Sequence, residues 1–277
     1  ITSVKAAEVG EAMTSDARVK KLSFTGSTPV GKMLYAACAP TMKKVSMELG
    51  GNAPFLIFDD ADIDAAIEGV MASKYRNSGQ TCVCANRILV QAGIYERFTK
   101  ALVAKVKTMK VDQGWQEDAE VGPLINQKAI DKVEQLVADA VKKGAKIETG
   151  GQVDETGSLF YQPSVLTNVN IDMDVFSTEI FGPVAPLFKF KDEAEAIQMA
   201  NDTPFGLAAY AYTRDIGRAM RVAAKLEYGM VGMNDGMIST EVTPFGGVKE
   251  SGIGREGAVE GLDEYLNIKY ISYGGLN

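Results

Sequence analysis

Lys21-Leu22-Ser23-Phe24-Thr25-Gly26-Ser27-Thr28-Pro29 carries the chain from a strand signal directly into a helix signal. Lys21 to Phe24 reads as a short strand. Thr28 to Ala39 reads as a helix with Pro29 in its first turn, where a missing N–H does no harm. Lys43 to Met47 reads as the next strand, which completes one βαβ step. The alternation continues outward. Pro54 to Phe58 is expected as a buried strand, followed by a helix capped near Asp60 with Ile63, Ile67, Val70 and Met71 at helical spacing, ended by Gly79. Further helices are expected over Tyr95 to Met109 and Gln127 to Lys143, the second stopping at Gly144. Strands are expected at Ile88 to Val90, Pro183 to Phe190, Leu207 to Tyr212 and Met230 to Met233. Such alternation predicts an α/β fold with mostly parallel sheets rather than a bundle or a sandwich. Asn267 to Tyr273 also alternates like a strand but has no partner nearby in sequence, so its partner is expected elsewhere in the chain or on another subunit.

Composition removes several chemistries. The 277 residues contain no histidine, so Ser-His and Cys-His dyads and His-ligated zinc are excluded. Any general base must be a carboxylate, a lysine or a thiolate. The three cysteines are Cys38, Cys82 and Cys84. An odd count without paired CxxC spacing argues against a disulfide scaffold and a zinc site, and for a reducing compartment: the cytoplasm, or the mitochondrial matrix in a eukaryote. A 46% hydrophobic and 23% charged chain of this length describes a soluble protein with a large core and room for two domains. A net charge of −7 argues against a nucleic-acid partner. No apolar run approaches the ~20 residues of a membrane helix. No signal peptide is evident, and the chain begins at Ile1 without an initiator Met.

Two further stretches carry chemistry. Glu48-Leu49-Gly50-Gly51 sets a carboxylate at a strand end, where ligands bind in open α/β sheets, and Gly79-Gln80-Thr81-Cys82 supplies a thiol. A thiol and a carboxylate can form an acyl-enzyme and release it with an activated water, without a metal. Each alone has a plainer reading: Cys82 as a small core hydrophobe, Glu48 as a solvated strand-end residue. Phe24-Thr25-Gly26-Ser27 lies at a strand-to-helix turn, whose free N–H groups favour a phosphate. The same residues also serve as a tight turn with an N-cap.

Taken with Glu179-Ile180-Phe181-Gly182-Pro183 and Pro244-Phe245-Gly246-Gly247, these motifs resemble the aldehyde dehydrogenase superfamily in order and spacing. Within it, Tyr75 to Arg87 and the stretch from Gly254 through Gly275 are most similar to succinate-semialdehyde dehydrogenases. The resemblance implies an aldehyde dehydrogenase-like α/β fold. Residues 1–50 would be the remainder of a Rossmann-like NAD(P)-binding domain, 51–262 the catalytic domain, and 263–277 a terminal strand making an oligomer contact. A complete family member also carries an N-terminal portion with most of the cofactor domain, a Pro-Trp-Asn segment supplying an oxyanion-hole Asn, and a Lys on the adenosine ribose. None of these occurs in the sequence.

The resemblance also implies roles. Cys82 is the nucleophile and Glu48 the base for the deacylating water. Gly26, Ser27 and Leu49 border the cofactor, NAD or NADP, with Ser27 on its pyrophosphate and Gly26 near the nicotinamide. Glu179 holds the nicotinamide ribose and Phe181 packs by the ring; Thr178 stands where the family commonly has a second Glu. Phe245 lies beside the substrate tunnel. Arg76 forks onto the distal carboxylate of a semialdehyde, a task suited to guanidinium geometry, with Ser239 assisting. Each also has an ordinary reading, Arg76 as a helix-end charge, Glu179 and Ser239 as loop residues, Phe245 as core filling. Cys84 matches a second thiol that related enzymes close onto the nucleophile. The expected reaction is oxidation of succinate semialdehyde to succinate by a homodimer or homotetramer. Glutarate semialdehyde or another short aldehyde, a cofactor-independent cysteine hydrolase, and an inactive fragment keeping only structural contacts are the alternatives.

Overall fold

The computed structural model describes residues 2–275. The chain divides into two compact units: Ile1–Leu49 with Ser239–Gly246 and Gly252–Asn277, and Gly50–Ile238 with Gly247–Ser251. Compactness groups Ser239–Gly246 and the chain from Gly252 with Ile1–Leu49.

In the first unit, Lys21–Thr25 and Lys44–Glu48 pair in parallel, joined by the helix Thr28–Cys38, and Gly252–Ile253 adds an antiparallel edge to the second strand. Thr25 lies opposite Glu48. The βαβ step is therefore where the sequence places it. Leu22, Cys38, Met47 and Leu49 form its small core. Lys43 is buried because its ammonium donates to the carbonyls of Asp16 and Val19 at 2.7 and 2.8 Å.

The second unit is built on a seven-stranded sheet in the order Met230–Met233, Ala208–Tyr212, Ala53–Ile57, Ala85–Gln91, Val184–Phe190, Ser164–Thr167, Lys146–Thr149. Every pairing is parallel except the last. The central strands Ala53–Ile57 and Ala85–Gln91 are almost wholly buried, as expected of parallel strands covered on both faces. Helices Gln127–Lys142 and Glu193–Asn201 contribute their apolar sides to the main core. Gly144, at φ +105°, follows the first of these, as expected.

Three expectations are corrected. The helix after Pro54–Phe58 is Ile63–Val70, capped by Asp62, whose carboxylate accepts the N–H groups of Asp64 and Ala65; Asp60 instead accepts from Thr213. This helix does not run to Gly79. It widens over Met71–Tyr75 and breaks into a tight turn over Arg76–Gly79, with Asn77 and Ser78 left-handed at φ 51° and 56°. The break follows from Gly79: at φ +76° a Cβ there would lie 2.2 Å from the Gly182 carbonyl oxygen, so the chain must leave helical geometry to make this approach. Finally, Asn267 to Tyr273 forms no strand. None of its described backbone groups pairs with a strand of this chain, and its side chains are exposed.

Candidate active site

Gly26 donates its N–H to the Glu48 carbonyl at 3.0 Å, so the turn after the first strand and the end of the second are fastened side by side. Ser27 is the N-cap residue of Thr28–Cys38, and its hydroxyl makes no capping bond. Gly26 and Ser27 are both exposed. The amide end of this helix is thus open to an anion.

Glu48 is only 4% exposed, and its Oε2 has no hydrogen-bond partner among the described residues. Burial, reinforced by the Glu256 carboxylate and opposed by Arg255, pushes its carboxyl up to about 8. Such a group sits at the threshold of ionisation near neutral pH and can take a proton. Leu49 is buried in the small core of this unit. Phe245 is half-buried and bridges Glu256 in both directions, N–H to carbonyl at 2.8 and 2.7 Å. Ser239 is exposed.

In the second unit the thiol sits on a loop held from several sides. Cys82 is half-buried, while Cys84 is buried and shares a 2.6 Å hydrogen bond with the Thr81 hydroxyl. Tyr210, 1% exposed, donates its hydroxyl to the Val83 carbonyl at 2.7 Å, and Ser73 accepts the Ala85 N–H at 3.1 Å. Gly51 comes so close that a Cβ on it would lie 2.5 Å from the Cys82 carbonyl oxygen. No disulfide joins the cysteines among the described residues.

Gly51 also donates its N–H to Glu179 Oε1 at 3.0 Å. Burial raises the Glu179 carboxyl, against the pull of this N–H, Lys132 and Lys74. Phe181 follows at φ 56°, 37% exposed, so its ring stands out from a strained turn. The structure therefore brings Cys82, Gly51, Glu179 and Phe181 into one neighbourhood. Arg76 lies at the break before the loop that bears Cys82; its Nη1 contacts the Met237 sulfur at 2.9 Å, and it makes no ion pair among the described residues.

Lys74 was not anticipated. It is 0% exposed, its ammonium has no hydrogen-bond partner among the described residues, and burial pulls it down to about 8 against the pull of Cys84 and Glu179. Periodicity could not single it out, because a wide turn shifts which side of a helix faces inward. Asn52, Asn86 and Tyr210 were missed too: Asn86 lies inside the stretch Tyr75 to Arg87, but nothing in the spacing marks its amide, that of Asn52 or a strand tyrosine for a role. Among the described residues, no cluster could hold a metal ion, and no helix is long and apolar enough to cross a membrane.

The chain is 55% identical over 269 residues to the NADP+-linked succinate-semialdehyde dehydrogenase of Escherichia coli, covering 97% of this chain and 56% of that protein. It is 56% identical over 271 residues to a glutarate-semialdehyde dehydrogenase of Pseudomonas aeruginosa, at 98% and 56% coverage. The crystal structure of a succinate-semialdehyde dehydrogenase from Burkholderia pseudomallei superposes with a TM-score of 0.96 at 57% identity, covering 98% of this chain and 56% of that one. The chain spans about half the length of the curated relatives it matches. Residues 1–271 match the model of the aldehyde dehydrogenase family, and the chain belongs to that family.

Proposed function

We propose that the protein carrying this chain oxidises a short semialdehyde with a terminal carboxylate, succinate semialdehyde first and glutarate semialdehyde next, to the dicarboxylate. Cys82 Sγ adds to the carbonyl carbon. Once that carbon has reached the acyl level, the same sulfur holds it as a thioester. Glu48 takes a proton from the water that hydrolyses the thioester, and the thiolate leaves. A nicotinamide dinucleotide, NAD or NADP, supplies the hydride acceptor when bound.

The residues suit that cofactor. The open helix start at Ser27, with a hydroxyl not spent on capping, fits a pyrophosphate. Glu179 presents a carboxylate to a ribose hydroxyl, and Phe181 an exposed ring edge to a planar group. Arg76, with a thioether contact and no ion pair, is left to recognise the distal carboxylate. The exposed apolar side chains after Leu266 support a contact with a second copy of the protein.

The observation that carries the proposal is Glu48, a buried carboxyl at the threshold of ionisation with an oxygen that has no partner among the described residues. Glu48→Gln in the full protein is expected to give a burst of reduced cofactor and then stall at the thioester, whereas Cys82→Ala gives neither burst nor turnover. Near-normal turnover by Cys82→Ala would falsify the mechanism. Full steady-state turnover by Glu48→Gln would remove the base assignment alone.

A further inference from the structure

Asn86 and Asn52 are 3% and 1% exposed, and neither was given a role from the sequence. Asn86 donates from Nδ2 to Asn52 Oδ1 at 2.6 Å and to the Thr178 carbonyl at 2.9 Å, while its Oδ1 accepts the Ile180 N–H at 2.9 Å. Asn52 in turn donates from Nδ2 to the Phe176 carbonyl at 3.0 Å and to the Thr203 hydroxyl at 3.3 Å. Its own carbonyl accepts Arg87 Nε at 3.2 Å and Nη2 at 3.0 Å.

The pattern is specific. The Asn86 amide grips the carbonyl before Glu179 and the N–H after it, so a side chain plays the part of a neighbouring strand for one residue. Thr178 is correspondingly extended, at φ −106° and ψ 131°. The gripped residue points its Oε1 at the Gly51 N–H, the residue immediately before Asn52. Two buried amides therefore fix both the backbone of Glu179 and the backbone group that orients its carboxylate. Both amides are enclosed, so each relies on these partners for its hydrogen bonds.

The geometry points to Asn86, supported by Asn52, as a positioning residue that sets the Glu179 carboxylate for the cofactor ribose. The inference rests on the ribose role proposed for Glu179. An amide is needed because both a donor and an acceptor are used: a carboxylate at position 86 would face the Thr178 carbonyl and Asn52 Oδ1 as a third acceptor.

The test is a double-mutant cycle in the full protein with Asn86→Ala, Glu179→Ala and the pair. Asn86→Ala is expected to raise the KM for the nicotinamide cofactor tenfold or more, with the aldehyde KM and the cofactor-independent hydrolysis of 4-nitrophenyl acetate within about twofold of the parent. Glu179→Ala is expected to raise the cofactor KM as well, and the double variant to be no worse than Glu179→Ala. Additive losses in the double variant overturn the inference while leaving the role of Glu179 intact. Loss of ester hydrolysis in Asn86→Ala as large as the loss in cofactor KM makes the amide a general support of the fold and also overturns it. A cofactor KM left unchanged by Glu179→Ala overturns the ribose role and the inference together.

Discussion

Glu48 has a folded-state carboxyl raised to about 8 by burial and the Glu256 charge. Its unfolded value lies near the ordinary carboxyl value of 4.5. The native state therefore binds this proton more tightly than the unfolded one, and between those two values stability falls as pH rises. Glu48→Gln removes the effect. Relative to the parent, its melting temperature is expected to gain more at pH 9 than at pH 4, and equal gains at both would contradict a buried, hard-to-ionise carboxyl. Activity moves oppositely: the deacylation rate of the parent is expected to climb with pH towards about 8 as the base ionises. Arg76 gives a second prediction at this scale. Arg76→Ala is expected to cost succinate semialdehyde about 1.5–3 kcal/mol in kcat/KM, a charge-assisted contact, and to leave an uncharged aldehyde of similar length nearly unaffected. Equal losses on both would make Arg76 structural. The sequence could name Cys82, Glu48 and Arg76 because their motifs carry them. It could not name Lys74, Asn52 or Asn86, whose part depends on being enclosed, a property of tertiary packing that no local spacing encodes.

The elements were most legible where periodicity and punctuation agreed. Gln127–Lys142, with its buried Ile130, Val133, Leu136 and Val137, has Asn126 as a cap and a glycine shortly after its end, and its bounds nearly match expectation. Ile216–Lys225 was missed because it buries only Val222 and leaves Ile216 and Met220 exposed, so its pattern is that of a helix lying on a surface. Arg76 to Gly79, the start of the loop that runs to Cys84, was read as the end of a helix because its break comes from the close approach of Gly79 to Gly182, residues remote in sequence. That loop also carries the redox prediction. Cys84 Sγ is held by the Thr81 hydroxyl at 2.6 Å and lies 3.9 Å from the Arg76 carbonyl, so it must turn away from both to meet Cys82. Peroxide converts a thiolate at Cys82 to a sulfenic acid, and attack by the Cys84 thiol would expel water and form a strained, easily reduced bond. Mild peroxide is expected to inactivate the enzyme, dithiothreitol to restore it, and Cys84→Ala to abolish only the recovery. Peptide maps that find Cys82 solely as sulfinic or sulfonic acid would leave Cys84 with a packing role.

At the scale of the whole molecule, the chain's end poses the remaining physical question. Tyr265 is anchored in the first unit, its hydroxyl 3.2 Å from the Ser23 hydroxyl and its ring 4.7 Å from the Lys21 ammonium, and Lys44 donates to the Leu266 carbonyl. Beyond that anchor the described chain is irregular, and Ile268, Tyr270 and Tyr273 are 104%, 87% and 76% exposed. Backbone N–H and C=O groups without strand partners, flanked by apolar side chains, match what a sheet edge of another copy would accept. The alternation from Asn267 to Tyr273 is that of a strand, yet among the described residues it joins no sheet of this chain. Replacing Ile268 and Tyr270 together with Asp places two charges where such pairing would bury apolar surface. In sedimentation velocity on the full protein, the parent is expected as a dimer or tetramer and the double variant as a smaller species with an unchanged melting onset at high dilution. An unaltered sedimentation coefficient in the variant would show that this segment does not hold copies together.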